Sequence, residues 1–596
     1  MRLAIPALNA AYRSGELTPQ QTVAAVLQQM QLHADNPIWI SRCSEESLHA
    51  RAAELARIAP DSLPLYGVPF AIKDNIDLAG LPTTAGCPDA AFLPTASAHV
   101  VQRLLDAGAI AVGKTNMDQF ATGLVGTRSP YGICRNAFDA EYLSGGSSSG
   151  SALAVALGIA SFALGTDTAG SGRVPAAFNN IVGYKPTLGR LSNRGMLPAC
   201  RSIDAMSVFA LTAADALTVA RAAAAFDSND PWSRRQQLPA GRLWSQRNGL
   251  RVAVPAAGQL EFFGNAEYPA LYAAAAERLR ALGATLHTVD ISPLLQAARL
   301  LYEGPWVAER YLATATVLES KPQCLLPVTR QIIEGGRNAS AREAFAAQYR
   351  LRELTALAQG IWEQADVLLL PTAGTHYRID AEQAEPLQLN ANLGRYTNFV
   401  NLMDLAAVAV PAGFTPRGLP FGVTLIAPAW HDEDLLCLAG RMQAAGARLG
   451  ATPHQLREED SVTPLDEKTM DIAVCGAHMQ GLPLNGQLTS RGAWRIAVTR
   501  TAPCYRLYAL PGGPPSRPGL LRVAEDGEAI EVEVWRMPQE HFASFMQGIP
   551  APLGIGRVRI ASGAEVAGFL CEASAVQGAA DITWLGSWRS WLAQGA

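Results

Sequence analysis

Gly145-Gly146-Ser147-Ser148-Ser149-Gly150-Ser151, and after it Gly165-Thr166-Asp167-Thr168-Ala169-Gly170-Ser171-Gly172-Arg173, are the stretches from which the rest of the chain is read. The first leads straight into an Ala-rich segment that reads as a helix. A flexible Gly/Ser linker is rarely followed at once by an apolar helix and a second glycine-rich turn. A phosphate-cradling loop would need GxxxxGK[ST] or a strand-bounded GxGxxG, and neither is present. A serine–histidine elbow has one formal match, Gly146-Ser147-Ser148-Ser149-Gly150, which would make Ser148 the nucleophile. The preceding residues 136–142 are too polar for the buried strand that such an elbow requires. His99, in a helix opening, reads as a surface or capping residue.

Working outward, short β-type runs alternate with Ala-rich helical patterns. Val68–Ile72 and Ala109–Val112 read as strands, with a helix over Val100–Leu105 between them. Leu250–Val254 precedes a helix around Leu271–Leu282. Val367–Pro371 and Ala407–Pro411 are apolar strands that end at proline. Thr18-Pro19-Gln20-Gln21 places a capping Thr, a Pro at N1 and a Gln at N3 ahead of a first helix. The alternation predicts an α/β fold, a central mixed β-sheet flanked by helices. Residues 452–468 are charged and carry two prolines, and β-rich runs such as Arg495–Thr499 and Ile530–Trp535 follow. The predicted organisation is a large domain over 1–455, a linker over 456–468 and a smaller α+β domain over 469–596.

Composition narrows the class. With 48 Lys+Arg, 52 Asp+Glu and 49% hydrophobic residues, the 596-residue chain reads as a well-packed soluble protein. A net charge of −4 without basic clusters argues against nucleic-acid binding. The N-terminus has no basic head, apolar run and cleavage site, and residues 151–165 are too short to span a bilayer. Nine dispersed cysteines without a CxxC read as buried thiols in a reducing cytoplasm. The histidines form no HExxH or His/Cys cluster, so neither a metal nor a cofactor is expected.

The serine-rich segment closely resembles the amidase signature family. Gly67-Val68-Pro69-Phe70-Ala71-Ile72-Lys73-Asp74-Asn75, Gly113-Lys114-Thr115-Asn116-Met117-Asp118-Gln119-Phe120 and Gly418-Leu419-Pro420-Phe421-Gly422-Val423 extend the match over most of residues 20–450. The resemblance implies the amidase signature fold and a Ser–cis-Ser–Lys triad mapped onto Ser171, Ser147 and Lys73. A lysine can take a hydroxyl proton only when neutral, and burial favours that form. It also implies an oxyanion hole built from backbone N–H groups of Thr168, Ala169, Gly170 and Ser171. Two departures stand out. The family's common Gly-Gly-Ser-Ile-Arg is Ala169-Gly170-Ser171-Gly172-Arg173 here, and Gly-Gly-Ser-Ser-Gly-Gly is Gly145-Gly146-Ser147-Ser148-Ser149-Gly150.

Within the family, residues 301–311 look like the helix with which allophanate hydrolases hold their substrate's carboxylate. Tyr302 and Arg310 match the anchoring positions, and two helical turns would put both on one side. Taken alone, Arg310 could equally pair with Glu303 or Glu309. Asp118–Ser129 resembles the same subfamily, with Gly123 or Gly126 as a substrate contact. Gly476-Ala477-His478-Met479 and Gly481–Asn485 resemble the γ-glutamylcyclotransferase-like domain attached to these hydrolases. In that domain His478 matches a histidine proposed to assist decomposition of the first product; a structural turn residue or an assembly surface is the plain alternative. The resemblance further implies a small amide substrate (allophanate), a homodimer and urea or cyanuric acid degradation. The absence of an Ala-Met-Lys-Met biotin site leaves any biotin-dependent urea carboxylase as a separate chain. The competing expectations are another amidase of the family, including an amidotransferase subunit, or a binding protein with a decayed site.

Overall fold

The computed structural model describes residues 3–235, 249–444, 449–452, 469–491 and 493–594. The expected linker over 456–468 lies outside them. Contacts divide the described residues into two compact units, one holding those within 3–234 and 249–452, the other Arg235 and those within 469–594.

The first unit is built on one sheet of eleven strands. In chain order these are β1 (Trp39–Arg42), β2 (Pro69–Lys73), β3 (Ile110–Thr115), β4 (Phe162–Asp167), β5 (Val182–Lys185), β6 (Ala205–Ala210), β7 (Leu250–Pro255), β8 (Ala284–Val289), β9 (Val367–Pro371), β10 (Leu405–Phe414) and β11 (Pro420–Pro428). Their order across the sheet is β1-β3-β2-β4-β6-β5-β10-β11-β9-β7-β8. β2 runs parallel to β3 and β4, and β7 to β8 and β9, whereas β10 is antiparallel to β5 and β11. The sheet is therefore mixed, as the alternation predicted. Strands β2, β4 and β9 are buried along their whole length, which explains why β2 and β9 read as apolar runs rather than alternating ones. β10 continues past the proline expected to end it, because Pro411 sits at a register shift where the ladder can spare its missing N–H.

Helices cover the sheet. The one over Pro19–Leu32 opens with the expected capping box between Thr18 and Gln21, and the predicted helix near Leu271 spans Tyr268–Ala281. Among the described residues no helix is long and apolar enough to cross a membrane. Parallel pairing of β2 with β4 aligns Ile72 with Leu164, so both strands deliver their C-terminal ends, Lys73 and Asp167, to the same edge. The helix Ser149–Ala156 begins at that edge too, directly after Ser147.

The second unit holds a five-stranded and a three-stranded sheet. The larger runs in the order Trp494–Arg500, Glu531–Pro538, Thr469–Val474, Glu565–Cys571, Leu553–Arg559. The smaller contains Arg517–Arg522, Tyr505–Leu510 and Ala580–Asp581. Ile472, Val534, Phe545, Phe569 and Trp588 close a core of its own.

Candidate active site

Lys73 and Ser147 are completely buried and Ser171 is 2% exposed. Lys73 Nζ donates to Ser147 Oγ at 2.7 Å and to Thr166 Oγ1 at 2.8 Å. Thr166 follows from the strand pairing, since it lies one position from the end of β4 beside the end of β2. Burial lowers the Lys73 pKa to about 7, against the opposing pull of Asp118, Asp167 and Asp204. The Gly146–Ser147 peptide is cis. A Cβ on Gly146 would stand 2.1 Å from the Asp118 carboxylate and 2.7 Å from the Gly126 nitrogen, so no other residue fits there. Ser171 Oγ points toward the Gly123 carbonyl at 3.5 Å. A direct Ser147–Ser171 bond is not among the hydrogen bonds of the described residues.

The turn carrying Ser171 is held by a buried ion pair. Asp167 accepts both Nε and Nη2 of Arg173 at 2.9 Å, and the N–H groups of Gly170 and Gly172 at 3.0 Å. Burial would raise the Asp167 pKa, but Arg173, Lys185 and the Gly172 N–H together outweigh it and hold the carboxyl below its ordinary value. Arg173 Nη2 also donates to the Thr397 carbonyl at 3.1 Å and to Asn401 at 3.2 Å. Thr397 Oγ1 in turn donates to the Ala169 carbonyl at 2.6 Å, fixing that peptide's orientation. Gly170 has φ +133°, and a Cβ there would sit 2.4 Å from the Thr397 hydroxyl. The Gly170 N–H, expected as an oxyanion donor, is thus turned to Asp167. The N–H groups of Thr168, Ala169 and Ser171 carry no such bond among the described residues. Behind them Asp204 accepts from Thr168 Oγ1 and from the Ala199 and Cys200 nitrogens, while burial pushes its pKa up to about 6.

Tyr302 and Arg310 do not share one helix. Tyr302 lies in the last turn of the helix Ser292–Glu303, and Arg310 lies in the next, Trp306–Ser320. Gly304-Pro305 breaks the run, a proline signal that the sequence reading passed over. The two side chains still meet, the guanidinium lying 5.7 Å from the Tyr302 ring centre. Arg310 pairs with neither neighbouring glutamate: Glu303 bonds Arg299 and Glu309 bonds Ser202. Its Nη1 donates to Ala121 O and Thr122 Oγ1, both at 3.2 Å, while its Nη2 is buried without a hydrogen-bond partner. Leu124, Ala169, Val174 and Leu301 form the apolar surroundings into which Tyr302 packs.

His478 lies in the second unit. Its ring stacks on Phe569, 5.0 Å between centres, and Nε2 meets Gln487 Oε1 at 3.0 Å. Burial lowers its pKa. It lines a cavity of about 170 Å³ together with Gln487, Arg517 and Phe569.

Residues 21–436 match the family described as amidase, well over half of the chain. The chain belongs to the amidase family. Residues 470–593 match a second family, the allophanate hydrolase C-terminal domain. Among curated relatives, the urea amidolyase of Saccharomyces cerevisiae is 44% identical over 572 residues, covering 93% of this chain and 31% of the relative. The chain thus spans about a third of the length of such relatives. A glutamyl-tRNA(Gln) amidotransferase subunit from Deinococcus radiodurans is 35% identical over 74% of this chain and 96% of its own. Among solved structures, Kluyveromyces lactis allophanate hydrolase superposes with a TM-score of 0.71 at 40% identity, covering 98% of both chains.

The departures from the amidase pattern have physical reasons. A Cβ on Gly172 would stand 2.6 Å from the Ser207 Cβ, so the common isoleucine has no room. Ser149 fits where the family has glycine because its hydroxyl turns to the Asn116 carbonyl at 3.4 Å. Sequence reasoning overlooked Thr166, Asp167, Arg173, Asp204 and Thr397. Asp167 and Arg173, flanking the serine turn with opposite charges, carried a signal; Thr397, 228 positions from Ala169, carried none.

Proposed function

We propose that this amidase-family chain is an amidohydrolase that cleaves allophanate (urea-1-carboxylate). Ser171 attacks the terminal amide carbon, and its proton passes through Ser147 and neutral Lys73 to the departing nitrogen, which leaves as ammonia. N–H groups of Thr168, Ala169 and Ser171 receive the developing oxyanion, with Gly170 supplying the backbone shape rather than a donor. Water then releases N-carboxycarbamate, which ends as carbon dioxide and a second ammonia. The observation that carries the substrate assignment is the buried, unpartnered Nη2 of Arg310 beside Tyr302. A guanidinium sequestered from water without an anion is costly, and a small carboxylate removes that cost. Gly123, whose carbonyl faces Ser171, is the closer candidate for a substrate contact.

Residues 469–596 form a γ-glutamylcyclotransferase-like domain in this reading, with His478 assisting decomposition of N-carboxycarbamate. Residues 1–455 form the catalytic domain and the surface of a cytoplasmic homodimer. A separate biotin-dependent urea carboxylase, or cyanuric acid breakdown, supplies the substrate. Similarity to the amidotransferase chain supports a second reading, glutamine hydrolysis for a partner complex; the residues matching the allophanate hydrolase C-terminal domain speak against it. Ammonia released per allophanate consumed by the purified chain, with malonamate and glutamine as comparison substrates, tests the proposal. Two ammonia per allophanate is the expected result. Turnover of glutamine without turnover of allophanate would overturn it.

A further inference from the structure

Asp118 is completely buried and touches three parts of the site at once. Its backbone N–H donates to the Ser147 carbonyl at 3.1 Å. Its Oδ2 accepts the N–H groups of Val125 and Gly126 at 3.2 and 3.1 Å, and its Oδ1 that of Arg128 at 3.0 Å. A Cβ on Gly146 or on Gly123 would stand 2.1 or 2.7 Å from the same carboxylate. The carboxylate is therefore wedged between the peptide that carries Ser147 and the loop whose Gly123 carbonyl faces Ser171. The turn following Asp118 supplies Ala121 O and Thr122 Oγ1, the shelf on which Arg310 rests. Ion pairing does not explain the residue: the Arg128 guanidinium turns to the carbonyls of Thr122 and Pro386 and to Glu382.

We propose that Asp118 is a positioning residue of the amidase centre, its carboxylate clamping the Gly123–Arg128 loop against the Ser147 peptide so that the bridging hydroxyl and the wall facing Ser171 are set together. The inference rests on the roles assigned above to Ser171, Ser147 and Lys73. The charge has a second consequence. Lys73 is surrounded by the hydroxyls of Ser147 and Thr166, by Asp118, Asp167 and Asp204, and more distantly by Arg310. Burial dominates and favours the neutral amine, and Asp118 is the foremost charge opposing it. Removing that charge lets Lys73 lose its proton at a lower pH.

The test is the pH profile of kcat/KM for the full-length chain with Asp118→Asn, alongside Ser171→Ala. Asp118→Asn is expected to lower the plateau on the order of 10²-fold, the scale of a misplaced reacting group, and to move the acidic limb to lower pH. A rate loss with an unmoved limb, or a profile like that of the parent, would overturn the inference. Activity surviving in Ser171→Ala would instead overturn the reading on which it rests. If Asp118→Asn does not fold, Gly123→Ala decides, because its methyl presses on the same carboxylate without changing charge. Labelling of Ser171 by a fluorophosphonate, which needs no carboxylate anchor, should then slow while the thermal unfolding midpoint stays within a few degrees. Labelling at the parent rate would count against the clamp.

Discussion

Lys73, Ser147 and Arg310 are buried and Tyr302 is partly so, yet the serine–lysine centre and the Tyr302–Arg310 pair differ in what faces their charges. Lys73 bonds two hydroxyls and Arg173 faces the Asp167 carboxylate through Nε and Nη2, although its Nη1 has no partner, on strands that pack along their whole length. Arg310 bonds only a carbonyl and a hydroxyl and has no carboxylate partner among the described residues. Around Arg310 one guanidinium nitrogen has no hydrogen-bond partner, and the pair stands at the junction of two helices. A reacting centre gains from a network settled before substrate arrives. A recognition element gains from a deficit that only the right ligand fills. The difference implies that chemistry and selectivity can be broken separately.

The largest expected effect falls on the first region. Ser171→Ala should cost on the order of 10⁶ in kcat toward every amide, and Lys73→Ala about 10²–10⁴, read as ammonia release with malonamate. An equal loss for anionic and neutral amides would mark the centre as chemistry alone; a loss confined to anions would erase the contrast with Arg310. Gly170→Ala forces a side chain onto Thr397 and should cost about 10²–10³, the scale of a lost oxyanion donor. Its signature is a fall in kcat with little change in KM.

The pH dependence sharpens the same contrast. As the proposed base, Lys73 would have to be neutral to accept a proton, and burial lowers its pKa to about 7. kcat/KM should therefore rise with pH through about 7 and level off above it. Arg310 stays charged throughout and adds no limb. A profile flat from pH 5 to 9 would contradict the lysine base. The smallest effect is expected at His478: His478→Ala should leave the first ammonia release within about threefold, since His478 belongs to a unit with its own core and shares no partner with the serine centre among the described residues. Only the release of the second ammonia should slow.

What could be read from the sequence follows from distance along the chain. The glycine-rich turn at residues 165–173 was legible as a local pattern, whereas Lys73, Ser147 and Ser171 were picked out through the resemblance to the amidase signature family. The strands β2 and β9 were legible as apolar runs bounded by turns, whereas β4, which ends in Gly165-Thr166-Asp167, was not read as a strand. Thr397, Asn401 and Asp204 were not, because they reach the serine turn only after long stretches of chain have folded back. The helix break at Gly304-Pro305 was written in the sequence, but the spacing of Tyr302 and Arg310 was read as one continuous helix. The two residues meet through the junction instead. Gly170 was expected as a donor from the family resemblance, and the structure shows its N–H turned to Asp167.

The claim that the unpaired guanidinium selects a carboxylate is tested most directly by Arg310→Met. The measurement is kcat/KM for malonamate, which carries a carboxylate, against neutral malonamide, in the parent and the variant. A lost buried charge pair costs about 2–5 kcal/mol, so the preference for malonamate should shrink by at least about 30-fold, through loss on malonamate rather than gain on malonamide. A preference left intact in Arg310→Met, with the serine–lysine centre still active, would contradict the anchor.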